Sequence, residues 1–226
     1  MSESPVVVLV HGAWGPPAMW DDVVPELPNG TEVVVADLPT CTHPGTGLAD
    51  DAAHVREITG DRPAVLVGHS YGGAVITEAA GAIPDARHLV YLAAVMPAPG
   101  ESMLEWSRRR PTGWEVAIEF FEDGTSLVVL DEAHAPPYDP LTLARLEATG
   151  MRRFAIDAAM TPLTQAAWKT IPSTYLIAAA DTLIHPDSQR ELAARATTVR
   201  EIDAEHQLPL SHPVEVAALI ATTLEA

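Results

Sequence analysis

Short runs of Val, Leu, Ile and Ala recur along the chain at 6–10, 32–36, 64–67, 88–92, 174–178 and 199–202. They lack the strict apolar/polar alternation of a strand that shows one side to water, and so predict buried strands of a parallel sheet covered by helices on both faces. Between them, apolar residues three and four apart predict helices over 18–27, 48–58, 71–83, 187–196 and 213–224. Asp187 is the expected N-cap of the fourth of these. Strand and helix in alternation imply an α/β fold with right-handed crossovers and a mainly parallel sheet of about six strands. In such sheets reactive groups gather beyond the carboxyl ends of the strands.

One stretch breaks the alternation. Residues 96–169 contain Pro97, Pro99, Pro111, Pro136, Pro137, Pro140 and Pro162, with helix-like patches at 139–149 and 161–168. An insertion of about 70 residues after the fourth strand predicts a cap over the carboxyl edge of the sheet. The core is then 1–95 together with 170–226.

Composition narrows the class. Apolar residues make up 47% of the 226 positions and charged residues 19%, which suits one compact domain with an insertion. A net charge of -18 repels a phosphate backbone, so nucleic acid is not expected as a partner. The basic run Arg108 to Arg110 reads as a solvated loop or helix end. Cys41 is the sole cysteine, so no intramolecular disulfide forms, and nothing near it in sequence would activate a thiol. The first residues lack an export signal, and no apolar run approaches the ~20 residues that span a bilayer. A cytoplasmic protein without membrane attachment is expected, its oligomeric state open to a homodimer.

The strand at 64–67 runs into Gly68-His69-Ser70-Tyr71-Gly72-Gly73 and then a helix. This is the pattern of a nucleophile elbow, in which a sharp turn lifts a serine above the sheet and flanking glycines let strand and helix backbones approach. A serine hydroxyl is almost wholly protonated at neutral pH, so it needs a base and a third group to orient that base. With this elbow the chain order is Ser, acid, His. Asp181, at the end of the strand at 174–178, is the expected acid. His206, just after the strand at 199–202, is the expected base, while His212 beside Pro213 reads as structural. The first strand ends in His11-Gly12-Ala13-Trp14. The backbone amides of Ala13 and of Tyr71 are the expected oxyanion hole, with His11 bracing the loop. No metal-ligand cluster, G-x-G-x-x-G or P-loop is visible, so neither a metal nor a cofactor is expected.

With these pieces in place the sequence resembles the α/β-hydrolase superfamily, and within it the small esterases similar to plant methylesterases and hydroxynitrile lyases. The stretches that carry the likeness are 8–14, 65–74, Asp181 with Pro186, and His206 with Ser211-His212-Pro213. The resemblance implies the triad Ser70, Asp181 and His206 and the same oxyanion amides. By resemblance, hydroxynitrile lyases carry a threonine beside the oxyanion loop and a lysine after the catalytic histidine. Here Gly12 and Gln207 stand at those positions, which favours ester hydrolysis. The weaker alternatives are a lyase or carbon-carbon bond hydrolase with the same triad, or a ligand-binding protein without catalysis. Gly12, Trp14, Trp106, Trp114, Tyr138 and Gln207 are the expected substrate contacts. Met103, Phe120, Phe121 and Trp168 are further lining candidates, implying a small-molecule ester with an apolar group.

Overall fold

The computed structural model describes residues 4–109, 117–130, 134 and 136–224. In chain order the core opens with β1 (Val6–Val10), β2 (Val33–Val35), α1 (Leu48–Thr59), β3 (Ala64–His69), α2 (Gly72–Ala80) and β4 (Ala86–Leu92). An intervening segment holds α3 (Met103–Arg108), β5 (Ile118–Phe120), β6 (Thr125–Val128), α4 (Pro140–Thr149), β7 (Phe154–Ala155) and α5 (Ile156–Met160). The chain then returns to the core with β8 (Ser173–Ala178), α6 (Pro186–Ala193), β9 (Thr198–Ile202), α7 (Leu208–Ser211) and α8 (Pro213–Leu224).

The core sheet has the order β2-β1-β3-β4-β8-β9, and every neighbouring pair is parallel. The alternate valines of β1 serve both faces. Val6, Val8 and Val10 share one core with Val55 of α1, Val75 of α2 and Leu192 of α6. Val7 and Leu9 share the other with Trp20 and with Val216 and Ile220 of α8. The order reverses between β1 and β3, so the loops after these two strands face a common crevice, where ligands bind in open α/β sheets. Glycine and serine occupy those loops.

Three expectations need correction. The segment 18–27 is two 3-10 turns, Pro17–Trp20 and Val24–Glu26, because Pro25 lacks the N–H that an α-helix needs at its centre. The patch 161–168 holds only the start of a 3-10 turn, Ala167–Lys169, while the helix lies earlier, at α5. Thr161 precedes Pro162 and is driven to an extended ψ of 122°, which ends that helix. The edge strands β2 and β9 are also half-exposed to exposed rather than buried. The segment between β4 and β8 carries a small antiparallel sheet, β5-β6-β7, that periodicity did not foreshadow. No helix among the described residues is long and apolar enough to cross a membrane.

Candidate active site

β3 ends at His69 and α2 begins at Gly72, so only Ser70 and Tyr71 make the turn. Ser70 pays with a left-handed φ of 54°, a strained conformation for a residue with a Cβ. Its backbone is tied down on both sides. The Ser70 N–H donates to Leu92 O at 3.2 Å, and its carbonyl accepts from Gly73 N and Val95 N, each at 3.1 Å. The glycines are required by contact: a Cβ on Gly68 would lie 2.5 Å from Gly72 O, and one on Gly72 would lie 2.5 Å from Val10 O.

Asp181 follows β8 and is buried. Its Oδ1 accepts from the N–H groups of Leu183 (2.7 Å) and Ile184 (2.9 Å). Its Oδ2 accepts from Gln189 Nε2 and from His206 Nδ1, both at 2.7 Å. The Nδ1 proton of His206 is therefore committed to Asp181, which leaves the Nε2 lone pair as the basic site. His206 sits in the loop after β9 and is itself buried, on the wall of the same cavity as Ser70. Among the described residues no hydrogen bond joins Ser70 Oγ to the His206 ring. His212 bonds Ser211 Oγ at 2.8 Å, at the start of the last helix. The N-cap of α6 is His185 rather than Asp187: the imidazole Nδ1 accepts from Asp187 N at 3.1 Å and Pro186 takes the first helical position.

Two supporting side chains escaped the sequence reading. Gln189 is fully buried in α6, donates to Asp181 Oδ2 and to Ile184 O (2.8 Å), and accepts from Ala178 N (3.0 Å). His69 donates from Nε2 to the His206 carbonyl at 2.8 Å, with the two rings 4.9 Å apart. Burial, with the neighbouring His206 adding to it, lowers the His69 pKa to about 3, so this ring stays neutral and holds the histidine loop. Its place between Gly68 and Ser70 was the available signal. Gln189 offered none, because its role depends on a partner in another loop.

The loop after β1 is braced as expected. His11 donates from Nδ1 to Gly12 O (2.8 Å) and accepts at Nε2 from Leu38 N (3.3 Å). Burial lowers its pKa to about 4, which keeps that arrangement at neutral pH. A Cβ on Gly12 would stand 2.9 Å from Ser70 Cβ, so this loop passes directly beside the serine. Neither the Ala13 nor the Tyr71 N–H meets an acceptor among the described residues. Cys41 is buried and does not line this cavity, and burial pushes its thiol up to about 12.

Gly12, Ala13, Trp14, Ser70, His206 and Gln207 line one side of a cavity of about 660 Å³. Tyr138 lines it from the intervening segment, and desolvation with the Asp181 charge holds its phenol well above the usual range. Trp106 is not a lining residue. Its ring is packed beneath the Arg109 guanidinium at 3.6 Å, and its Nε1 donates to Glu101 at 3.0 Å. Trp114 lies outside the described residues. Phe120 points to solvent, Phe121 lies under Arg153, and Trp168 donates to Pro97 O. The apolar wall is instead mostly aliphatic, with Met103, Val128, Leu146, Met151, Ile156 and Ile184 among its members. Arg108, the exposed last residue of α3, also lines this wall. Among the described residues no group of three or more His, Cys, Asp or Glu side chains is placed to hold a metal ion.

A strained serine between β3 and α2, at the switch point of a parallel sheet, defines a hydrolase scaffold. The α/β-hydrolase family model matches residues 7–219, and the chain belongs to that family. It is 26% identical to a probable hydrolase of Phoma sp., over 96% of this chain and 97% of that one. Among solved structures it is similar to a pyrethroid hydrolase from Sphingobium faniae, with a TM-score of 0.78, 25% identity and 98% of each chain covered. A methylesterase from Arabidopsis superposes with a TM-score of 0.75 at 21% identity, covering 98% of this chain and 99% of that one, a likeness of fold.

Proposed function

We propose that the protein is a serine esterase that cleaves a small ester with an apolar acyl or alcohol group, through an acyl-enzyme on Ser70. The observation that carries this reading is His206, bonded to the buried Asp181, on one cavity with a strained Ser70 and two unclaimed backbone amides.

His206 Nε2 takes the Ser70 proton as Oγ attacks the ester carbonyl carbon, and the carbonyl oxygen becomes an oxyanion facing the Ala13 and Tyr71 amides. Asp181 stabilises the imidazolium without taking its proton. Collapse of the tetrahedral adduct breaks the carbon–oxygen bond of the leaving group, which departs with the proton from Nε2 as an alcohol. Water then attacks the acyl-serine with His206 again as base, releasing the acid and restoring the Ser70 hydroxyl. The Ser70–His206 hydrogen bond this requires is of the kind that tightens in the reacting complex. A mostly aliphatic cavity of about 660 Å³ suits an apolar substrate group and leaves orientation to a few polar atoms, Tyr138 and Gln207 among them.

Hydrolysis of p-nitrophenyl butyrate tests the reading. Wild type should turn it over with release of butyrate, and Ser70→Ala should lose at least about a thousandfold in kcat. A Ser70→Ala variant as active as wild type would overturn it.

A further inference from the structure

The proposed mechanism leaves one buried carboxylate unused. Asp51 of α1 has no exposed surface, and it accepts from Thr40 N (3.0 Å), Thr40 Oγ1 (2.6 Å) and the Tyr71 phenol (2.7 Å). A buried carboxylate is costly to keep and is maintained only with full hydrogen bonding. Burial raises its pKa to about 6 in spite of those three donors. Tyr71 is the residue whose own N–H is one of the two oxyanion donors, so Asp51 grips the far end of the residue that supplies the donor.

The contacts continue from there to the other donor. The Tyr71 ring meets Phe154 of β7 edge-on, with centroids 5.0 Å apart, and Phe154 meets Trp14 in the same way at 5.5 Å. Trp14 directly follows Ala13. It adopts a φ of 58°, an outlier for a bulky residue, so surrounding bonds must hold it there. Those bonds come from the segment between β4 and β8. Trp14 Nε1 donates to Ser126 Oγ (3.1 Å), Ser126 Oγ donates to Phe154 O (3.2 Å), and the Trp14 carbonyl accepts from Arg152 N (2.8 Å). Two residues 57 positions apart, Trp14 and Tyr71, are thus the ends of one buried chain of contacts.

We propose that Asp51, Phe154 and Ser126 are positioning residues: acting through the Tyr71 and Trp14 side chains, they fix the spacing of the two oxyanion amides. An oxyanion donor acts only when it lies within about 2.7 to 3.1 Å of the developing charge. A brace of this kind therefore acts on the transition state more than on bound substrate. The inference rests on the serine-esterase reading.

Tyr71→Phe removes only the hydroxyl that Asp51 holds, and Ser126→Ala removes the hydroxyl that links the Trp14 indole to the Phe154 carbonyl. With p-nitrophenyl butyrate, kcat should fall about tenfold in Tyr71→Phe and about threefold to tenfold in Ser126→Ala, with KM within about twofold. A second readout is inhibition by an alkyl trifluoromethyl ketone. Ser70 Oγ adds to its carbonyl with proton transfer to His206 and no leaving group, so its affinity reports the oxyanion site. Its Ki should rise in parallel with the loss of kcat/KM. Variants with lowered melting temperatures but unchanged kcat and Ki would overturn the inference and leave the esterase reading intact. If Tyr71→Phe does not fold, Ser126→Ala and Asp51→Asn carry the same comparison. Wild type that neither hydrolyses the ester nor binds the ketone would overturn both the esterase reading and this inference.

Discussion

Replacing Gln189 with methionine keeps the length of the side chain while removing its polar atoms. In the native structure those atoms make three buried hydrogen bonds, to Asp181 Oδ2 at 2.7 Å, to Ile184 O at 2.8 Å and from Ala178 N at 3.0 Å. A hydrogen bond to a charged group contributes about 1.5 to 3 kcal/mol, and a buried backbone group left without its partner costs about 1 to 3 kcal/mol. The three losses overlap, because the loop can relax, so a total of about 4 kcal/mol is expected rather than their full sum. For a chain of this size each kcal/mol lowers Tm by about 2 to 4 °C, which gives a fall of about 10 °C. Asp181 keeps its bonds to His206, Leu183 and Ile184, so the base stays in place but is less firmly oriented. If about 1.4 kcal/mol of the loss is felt at the transition state, kcat falls about tenfold. Thermal unfolding followed by near-ultraviolet circular dichroism, with p-nitrophenyl butyrate kinetics on the same preparation, measures both. A fall of less than about 3 °C with unchanged kcat would refute the assignment of Gln189 as the support of the acid.

Asp181→Asn should lower kcat by about 10⁴ with little change in KM, because the Leu183 and Ile184 N–H groups hold the amide oxygen, its NH2 then donates to His206 Nδ1, and the ring settles in the tautomer with Nε2 protonated; steady-state kinetics at pH 7.5 checks this. Gly68→Ala places a Cβ 2.5 Å from Gly72 O, a clash with backbone, and should destabilise the fold by about 3 kcal/mol or more, read as a loss of soluble protein or a lowered urea midpoint. Glu101 lies where the intervening segment meets the core, accepting from Arg195 Nη1 (2.8 Å), Ala98 N (2.7 Å) and Trp106 Nε1 (3.0 Å). Although burial opposes it, these donors bring its pKa down to about 2. Because the folded value lies below the unfolded one, its contribution is complete above the unfolded pKa and is lost as pH falls toward 2. After allowance for solvent screening, Glu101→Gln should be less stable than wild type by about 1 kcal/mol at pH 7, with the gap narrowing below about pH 4.5; urea titrations at pH 7 and 3.5 test that.

The parallel core was legible because β1, β3 and β8 are buried on both faces, and only unbroken apolar runs can serve there. Ser70 was legible for a related reason: Gly68 and Gly72 are demanded by backbone approach, which leaves a local imprint in the residues. Asp181 and His206 stood out as candidates because each lies in the loop after a core strand. The segment 18–27 misled because Pro17 and Pro25 sit among apolar residues at helical spacing while forbidding the helix bonds. β5, β6 and β7 are two to four residues long, too short for alternation to register. Trp106 was expected in the cavity but packs away from it, since composition cannot tell which side of α3 meets the cavity. Asp51 and Gln189 act through partners in distant loops, and a single chain carries no pattern for such contacts.

The proposed mechanism makes Ser70 the activated nucleophile of this molecule. Incubation with an alkyl fluorophosphonate, in which serine Oγ displaces fluoride from phosphorus, followed by intact-mass measurement and peptide mapping, tests it most directly. One adduct per chain on Ser70, absent in Ser70→Ala and much slower in His206→Ala, is the predicted result. No adduct on wild type, or an adduct on a different side chain, would contradict it.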